Sequence, residues 1–189
     1  ASDVYKRQRH GKSIVMPYTV LDLFAGCGGM SYGLERAGFV VVAGVDYDAP
    51  ALNTFAMNHP SSASIELDLS TTTAMDEIAQ GLGEHVTIDV LVGGPPCQGF
   101  SLTGPRKLSD PRNRLYTSML RAAERFKPKV ILIENVRGMA TLYNGAVLSD
   151  VVQAIEGLGY TVTRPRVLDA ASFGVPQHRL RLFIVATRN

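Results

Sequence analysis

Three short segments hold residue types that packing alone does not ask for. In Gly93-Gly94-Pro95-Pro96-Cys97-Gln98-Gly99-Phe100-Ser101, two prolines pin the backbone just before a cysteine, and glycines flank it. A thiolate placed there can act as a nucleophile. The alternative, a buried small hydrophobe, fits a Gly/Pro loop poorly. In Val130-Ile131-Leu132-Ile133-Glu134-Asn135-Val136, a carboxylate closes an apolar strand. Loss of water there favours the neutral acid and keeps a proton available for general-acid work. A helix-capping or ion-paired acid is the other reading. Before the last predicted strand, Pro176-Gln177-His178-Arg179-Leu180-Arg181 sets two arginines at alternate positions, so that they point the same way. Planar guanidinium groups suit a carbonyl oxygen, a carboxylate or a phosphate, and the alternative is exposed surface arginine.

A fourth segment suits a nucleoside. The strand Val20-Leu21-Asp22-Leu23-Phe24 runs into Ala25-Gly26-Cys27-Gly28-Gly29 and then into a helix predicted from near Met30. Glycines permit positive φ and close backbone approach, and the helix start offers free N–H groups. A tight strand-to-helix turn would need no more than this. Asp46, at the end of the next strand and 20 residues after Gly26, is placed to accept hydrogen bonds from both hydroxyls of a ribose. An ordinary solvated acid would also fit there. Ser31 occupies the last glycine position of the dinucleotide fingerprint, so a ligand without a pyrophosphate fits better. Asp68, after the third strand, could take an exocyclic amine of adenine or serve as an N-cap for the next helix.

Alternating elements must hold these groups. Short β-branched runs at residues 19–24, 39–45, 63–67, 89–93, 129–133, 160–168 and 182–187 read as strands. Helical patterns occupy 31–37, 49–57, 73–81, 115–126 and 146–158. The alternation predicts an α/β fold with a mostly parallel sheet covered by helices on both faces. In such a sheet the loops after the strands open on one edge, which puts Cys97 beside the glycine turn. Residues 1–17 are read as a lead-in outside the fold and 18–189 as one domain. Residues 1–12 are polar, basic and aperiodic, and Asp3-Val4-Tyr5-Lys6-Arg7-Gln8 looks like a translated transposon-end adaptor.

Charge is divided along the chain. Between residues 13 and 105, Arg36 is the single basic residue against ten acidic ones, whereas residues 106–189 hold fourteen basic against six acidic. The second half is therefore the side expected to meet a polyanion. No apolar run approaches a membrane span and no secretory signal opens the chain, so a cytoplasmic protein is expected. The two cysteines, Cys27 and Cys97, lack the spacing of a zinc site or a disulfide framework.

Taken in order, Asp22 to Gly29, Pro95-Pro96-Cys97-Gln98, Glu134-Asn135-Val136 and Gln177-His178-Arg179-Leu180-Arg181 resemble the C5-cytosine DNA methyltransferases. The resemblance runs from about Tyr18 to Asn189. It implies the Rossmann-like class I methyltransferase fold, S-adenosylmethionine as cofactor, and a cytosine flipped out of double-stranded DNA as substrate. By that resemblance Cys97 adds to C6 of the base while Glu134 holds and protonates N3. Arg181, with Arg179 beside it, contacts the base and orders the site. Residues 98–114 match a loop closing over DNA, with Arg106, Lys107, Arg112 and Arg114 suited to phosphates. Phe24, Ala25, Gly26, Cys27, Gly28, Gly29, Asp46, Tyr47, Asp68, Leu69, Pro95 and Leu115 match cofactor-binding positions. Tyr47 would stack near the adenine or ribose.

The family continues into a variable target-recognition region and a C-terminal helix, so this chain is expected to be its N-terminal portion. A monomer is expected, with a restriction endonuclease of the same system as a partner that it does not touch. Three rivals remain. One is a tRNA cytosine C5-methyltransferase, against which Gln98-Gly99-Phe100-Ser101 leans towards DNA. A second is an inactive fragment or one piece of a split enzyme. The third, a dinucleotide oxidoreductase, explains neither the Pro-Pro-Cys loop nor the Glu-Asn-Val segment.

Overall fold

The computed structural model describes residues 17–83, 86–96 and 114–188. Cys97, the loop residues 98–113 with Arg106, Lys107 and Arg112, the lead-in residues 1–12 and the side chain of Arg114 lie outside the described residues. Apolar runs rich in valine, isoleucine and leucine form β1 (Thr19–Leu23), β2 (Val40–Asp46), β4 (Val90–Gly93) and β5 (Val130–Val136), and the more polar Ala-Ser-Ile-Glu forms β3 (Ala63–Glu66). These lie parallel in the order β3-β2-β1-β4-β5. Then β8 (Leu180–Thr187) pairs antiparallel with β5, and both β6 (Thr161–Val162) and β7 (Arg166–Asp169) pair antiparallel with β8.

Among the described residues, five α-helices connect the strands: α1 (Gly29–Arg36), α2 (Ala49–Asn58), α3 (Ala74–Leu82), α4 (Arg114–Phe126) and α5 (Ala146–Gly157). Alternation along each strand divides the core into two layers. Val20, Val41, Val90 and Val92 face Leu52 and Phe55 of α2, with Met30 and Leu34 of α1 packed beside them. Their neighbours Leu21, Leu23, Ala43, Val45, Leu91 and Ile131 face the other way, onto Ile78 of α3, Met119 of α4 and Val151 and Ile155 of α5. On the α1/α2 face, Phe183 and Val185 of β8 instead line an open groove of about 390 Å³ with Thr163, Arg164, Arg166 and Leu168.

The structure corrects three expectations. Residues 160–168 do not form one strand. β6 and β7 are separate, and between Val162 opposite Ala186 and Arg166 opposite Phe183 the chain holds one residue more than β8 does. Pro165 lies in this bulge, where its missing N–H costs no ladder bond. Glu134 does not close β5, because antiparallel pairing with β8 carries the strand on through Asn135 and Val136. The last strand begins at Leu180, so Arg181 lies within it.

Helix α2 fixes the carboxyl edge of the sheet beside the glycine turn through two rings one turn apart. Phe55 and His59 are buried, with ring centroids 4.5 Å apart. The Phe55 ring occupies the space a Cβ on Gly44 would need, and His59 with Phe55 occupies that of Gly28. Gly28 also has φ +88°, a conformation that costs other residues energy. Truncating the shared ring leaves a cavity that strands β2 and α2 both line. Phe55→Ala is expected to cost about 3–5 kcal/mol of unfolding free energy by urea titration. A loss below about 1 kcal/mol would show that α2 does not depend on this ring.

Candidate active site

At the carboxyl edge of the sheet, the turn after β1 is tied to the end of β2. Ala25 N–H donates to the Val45 carbonyl (3.1 Å), and Gly26 N–H donates to Asp46 Oδ2 (2.8 Å). The other carboxylate oxygen, Oδ1, accepts from Asp48 N–H (3.1 Å). Each oxygen has a second lone pair, so Asp46 can still receive a hydroxyl. Gly26 takes φ +54°, and a Cβ built on it would meet nothing within 4 Å, so the turn borders open space. Phe24 also has positive φ (58°). Tyr47 is 73% exposed at the same edge, while Ala25 is buried and Cys27 is an exposed free thiol.

After β3, Asp68 is exposed and its Oδ1 accepts from Ser70 N–H at 2.8 Å. That bond lowers its pKa by stabilising the anion. Asp68 is not the N-cap of the next helix, which is Thr73. The expected alternative role therefore becomes a turn-closing one. Leu69 is buried, and its carbonyl accepts from Ser118 Oγ of α4 (2.6 Å). Leu115 lies in the first turn of α4 and is half-buried.

After β4, the buried Pro95 presents its carbonyl to Asn135 Nδ2 (2.9 Å), which ties this stem to β5. Beside it, Glu134 Oε1 lies 2.8 Å from Arg181 Nε across the β5–β8 pairing. Glu134 is therefore half of an ion pair rather than an isolated acid at an apolar strand end. A Cβ built on Gly94 would lie 3.4 Å from Glu134 Oε2, so the second oxygen faces the stem that leads to residue 97. Arg179, Arg181 and Phe183 line one cavity of about 300 Å³ with Leu168, Ala170 and Phe173. The two arginines thus share a face, although only Arg181 is paired with Glu134. Asp169 holds this corner by accepting from Arg179 N–H (2.9 Å), Ala171 N–H (3.2 Å) and the His178 ring (Nδ1 2.8 Å from Oδ2).

Sequence reasoning assigned no role to Asp22, Ser31, His59, Asn135 or Asp169. Asp22 had a signal, since it is an acid inside an otherwise apolar strand. It is fully buried and accepts from Ser31 Oγ at 2.6 Å, while its Oδ1 has no partner. Burial pushes its pKa up to about 6, against the pull of the Ser31 hydroxyl. An unfolded chain releases this proton near pH ~4, so between about 4 and 6 the folded state holds the extra proton. Stability from this group is highest below ~4 and falls as pH rises to ~6, by about 3 kcal/mol in all. Urea titrations across that range should show Asp22→Asn losing this decline relative to the parent chain. An identical pH slope in both would remove Asp22 as its source.

The family of C-5 cytosine-specific DNA methylases matches residues 18–189. The type II methyltransferase M.AgeI of Thalassovita gelatinovora is 45% identical over 165 residues, which are 87% of this chain and 38% of the relative. A prophage-encoded DNA modification methyltransferase from E. coli has a solved structure that superposes with a TM-score of 0.77 at 34% identity, covering 90% of this chain and 47% of that one. The S. pombe Dnmt2 methyltransferase superposes with a TM-score of 0.70 at 26% identity, over 92% of this chain and 50% of its own. The chain thus spans half or less of each of these relatives. With four segments in the family order and a match over all but the first 17 residues, this chain belongs to the C-5 cytosine-specific DNA methylase family.

Proposed function

We propose that residues 18–189 form the cofactor-binding and catalytic domain of a DNA cytosine C5-methyltransferase, with double-stranded DNA as substrate and S-adenosylmethionine as methyl donor. The observation that carries the reading is the Glu134–Arg181 pair, at 2.8 Å, turned towards the Gly94-Pro95-Pro96 stem that enters Cys97. The glycine turn, Asp46 with free lone pairs, exposed Tyr47 and the open space at Gly26 fit a nucleoside. Bound there, S-adenosylmethionine would supply the methyl group to C5 and leave as S-adenosylhomocysteine.

The chain's residues would prepare the base. Addition of the Cys97 thiolate to C6, with Glu134 holding a proton at N3, places electron density on C5. After methyl transfer, loss of the C5 proton and breaking of the Cys97–C6 bond would restore the aromatic ring and the thiolate. Arg181, held on Glu134 Oε1, leaves Oε2 for the base and can offer its remaining N–H groups to the base carbonyl. The basic second half of the chain supports contact with DNA phosphates.

Mixed-sequence DNA containing 5-fluorocytosine tests this, because fluorine cannot leave C5 as the proton does. With S-adenosylmethionine present, a denaturation-resistant adduct is expected by mass and should vanish in Cys97→Ser. An adduct with the corresponding RNA and not with DNA would move the substrate to the tRNA-type reading. Cofactor binding without any adduct would reject catalysis by this chain alone and favour a fragment or split subunit.

A further inference from the structure

His59 is buried, 1% exposed, and follows the last residue of α2. Both ring nitrogens face hydrogen-bond acceptors: Nδ1 lies 2.9 Å from Glu35 Oε2 on α1, and Nε2 lies 3.1 Å from the Gly28 carbonyl. A neutral imidazole carries one N–H and one lone pair, so it can donate to only one of the two. Satisfying both requires one proton more than a neutral histidine and a carboxylate hold together. Such a proton would lie between Nδ1 and Glu35 Oε2, and Nε2–H would then point at Gly28. The Gly28 carbonyl takes the first helical bond of α1 from Tyr32 N–H (2.8 Å), and its second lone pair receives His59. The preceding side chain, Asn58, donates to the neighbouring Cys27 carbonyl at 3.3 Å. Consecutive side chains at the end of α2 thus hold consecutive carbonyls of the turn whose Gly26 N–H is bound by Asp46.

We propose that His59 is a positioning residue for the cofactor turn, acting with Glu35 as a couple that retains one shared proton and locks the carbonyl of Gly28. The inference rests on the reading of that turn as the S-adenosylmethionine site. The titratable groups facing the ring are Glu35 from α1 and Asp22 from β1, whose charge interacts with His59, with Asp46 at the end of β2 acting on Asp22 in turn. From α2 itself the neighbour is the Phe55 ring. Without the shared proton, the single ring N–H goes to the charge-assisted bond from Nδ1 to the Glu35 carboxylate, which leaves the Nε2 lone pair against the Gly28 carbonyl. The turn then loses its hold and the cofactor binds less tightly.

Two readouts test this on the whole chain, with S-adenosylmethionine and S-adenosylhomocysteine as probes in calorimetry and ¹⁵N NMR of the histidine rings. The wild type should show a protonated Nε2 on His59 at neutral pH and weaker ligand binding as pH rises. Glu35→Gln, at a partly exposed position, should abolish that weakening, because the amide can donate to Nδ1 and leave Nε2–H on Gly28 without the extra proton. His59→Phe should bind roughly tenfold more weakly, as expected for loss of a charge-assisted bond, with the alkaline weakening abolished. A bare Nε2 at neutral pH overturns the proposal, as does a Glu35→Gln profile that superimposes on the wild type. So does a His59→Phe chain that loses thermal stability yet binds like the wild type. If the wild type binds neither probe, the cofactor reading fails instead, and the NMR arm, read at both Nδ1 and Nε2, still decides whether Nε2–H serves Gly28 while Nδ1 shares a proton with Glu35.

Discussion

Two aromatic rings pressed against two glycines set the geometry of the sheet's carboxyl edge. Because Phe55 and His59 fill the volumes that side chains on Gly44 and Gly28 would take, α2 lies closer to the backbone of β2 and of the β1 turn than ordinary packing permits. That approach brings Asn58 and His59 within reach of the turn's carbonyls, while Asp46 takes its N–H. The turn is held from both sides by partners on the next two elements. Its positive φ values at Phe24, Gly26 and Gly28 persist because the surroundings fix them.

The same edge carries its charges unevenly. Asp22 is buried with one oxygen unpartnered, a destabilising arrangement that burial alone would select against. Across the sheet, a single antiparallel strand supplies the basic side of the site. β8 returns from the far end of the chain to lie on β5, and Val136 opposite Arg181 in the register puts the guanidinium within 2.8 Å of Glu134. Glu134 and Arg181 thus both come from the basic second half of the sequence, where Glu134 is one of six acidic residues.

Strands β1, β2, β4 and β5 and the five α-helices of the described residues were legible because each buries one face or both, and burial leaves a period of two or 3.6 in the residue types, whereas β3 is largely exposed and was marked by its place in the alternation. The shared edge followed from the parallel order alone. What the pattern did not contain was the polar linkage. Nothing local ties Glu134 to Arg181, 47 residues on, or His59 to Glu35, since a side-chain hydrogen bond leaves no periodic trace. The split between β6 and β7 was hidden for a related reason: Pro165 was visible, but the extra residue that makes a bulge is defined only against β8. Asp68 shows a third limit, because an acid before a helix reads alike whether it caps the helix or closes the turn ahead of it.

The pairing of β5 with β8 has a consequence for fidelity. Along β8, Leu182, Ile184 and Ala186 face the core, and Arg181 and Phe183 face the opposite side. A slip of one residue would exchange the two sets, driving an arginine under α5 and exposing three apolar side chains. A one-residue slip could not keep the core while losing the Glu134–Arg181 contact, for the two errors are one movement. Hydrophobic packing therefore guards the Glu134–Arg181 alignment against that slip.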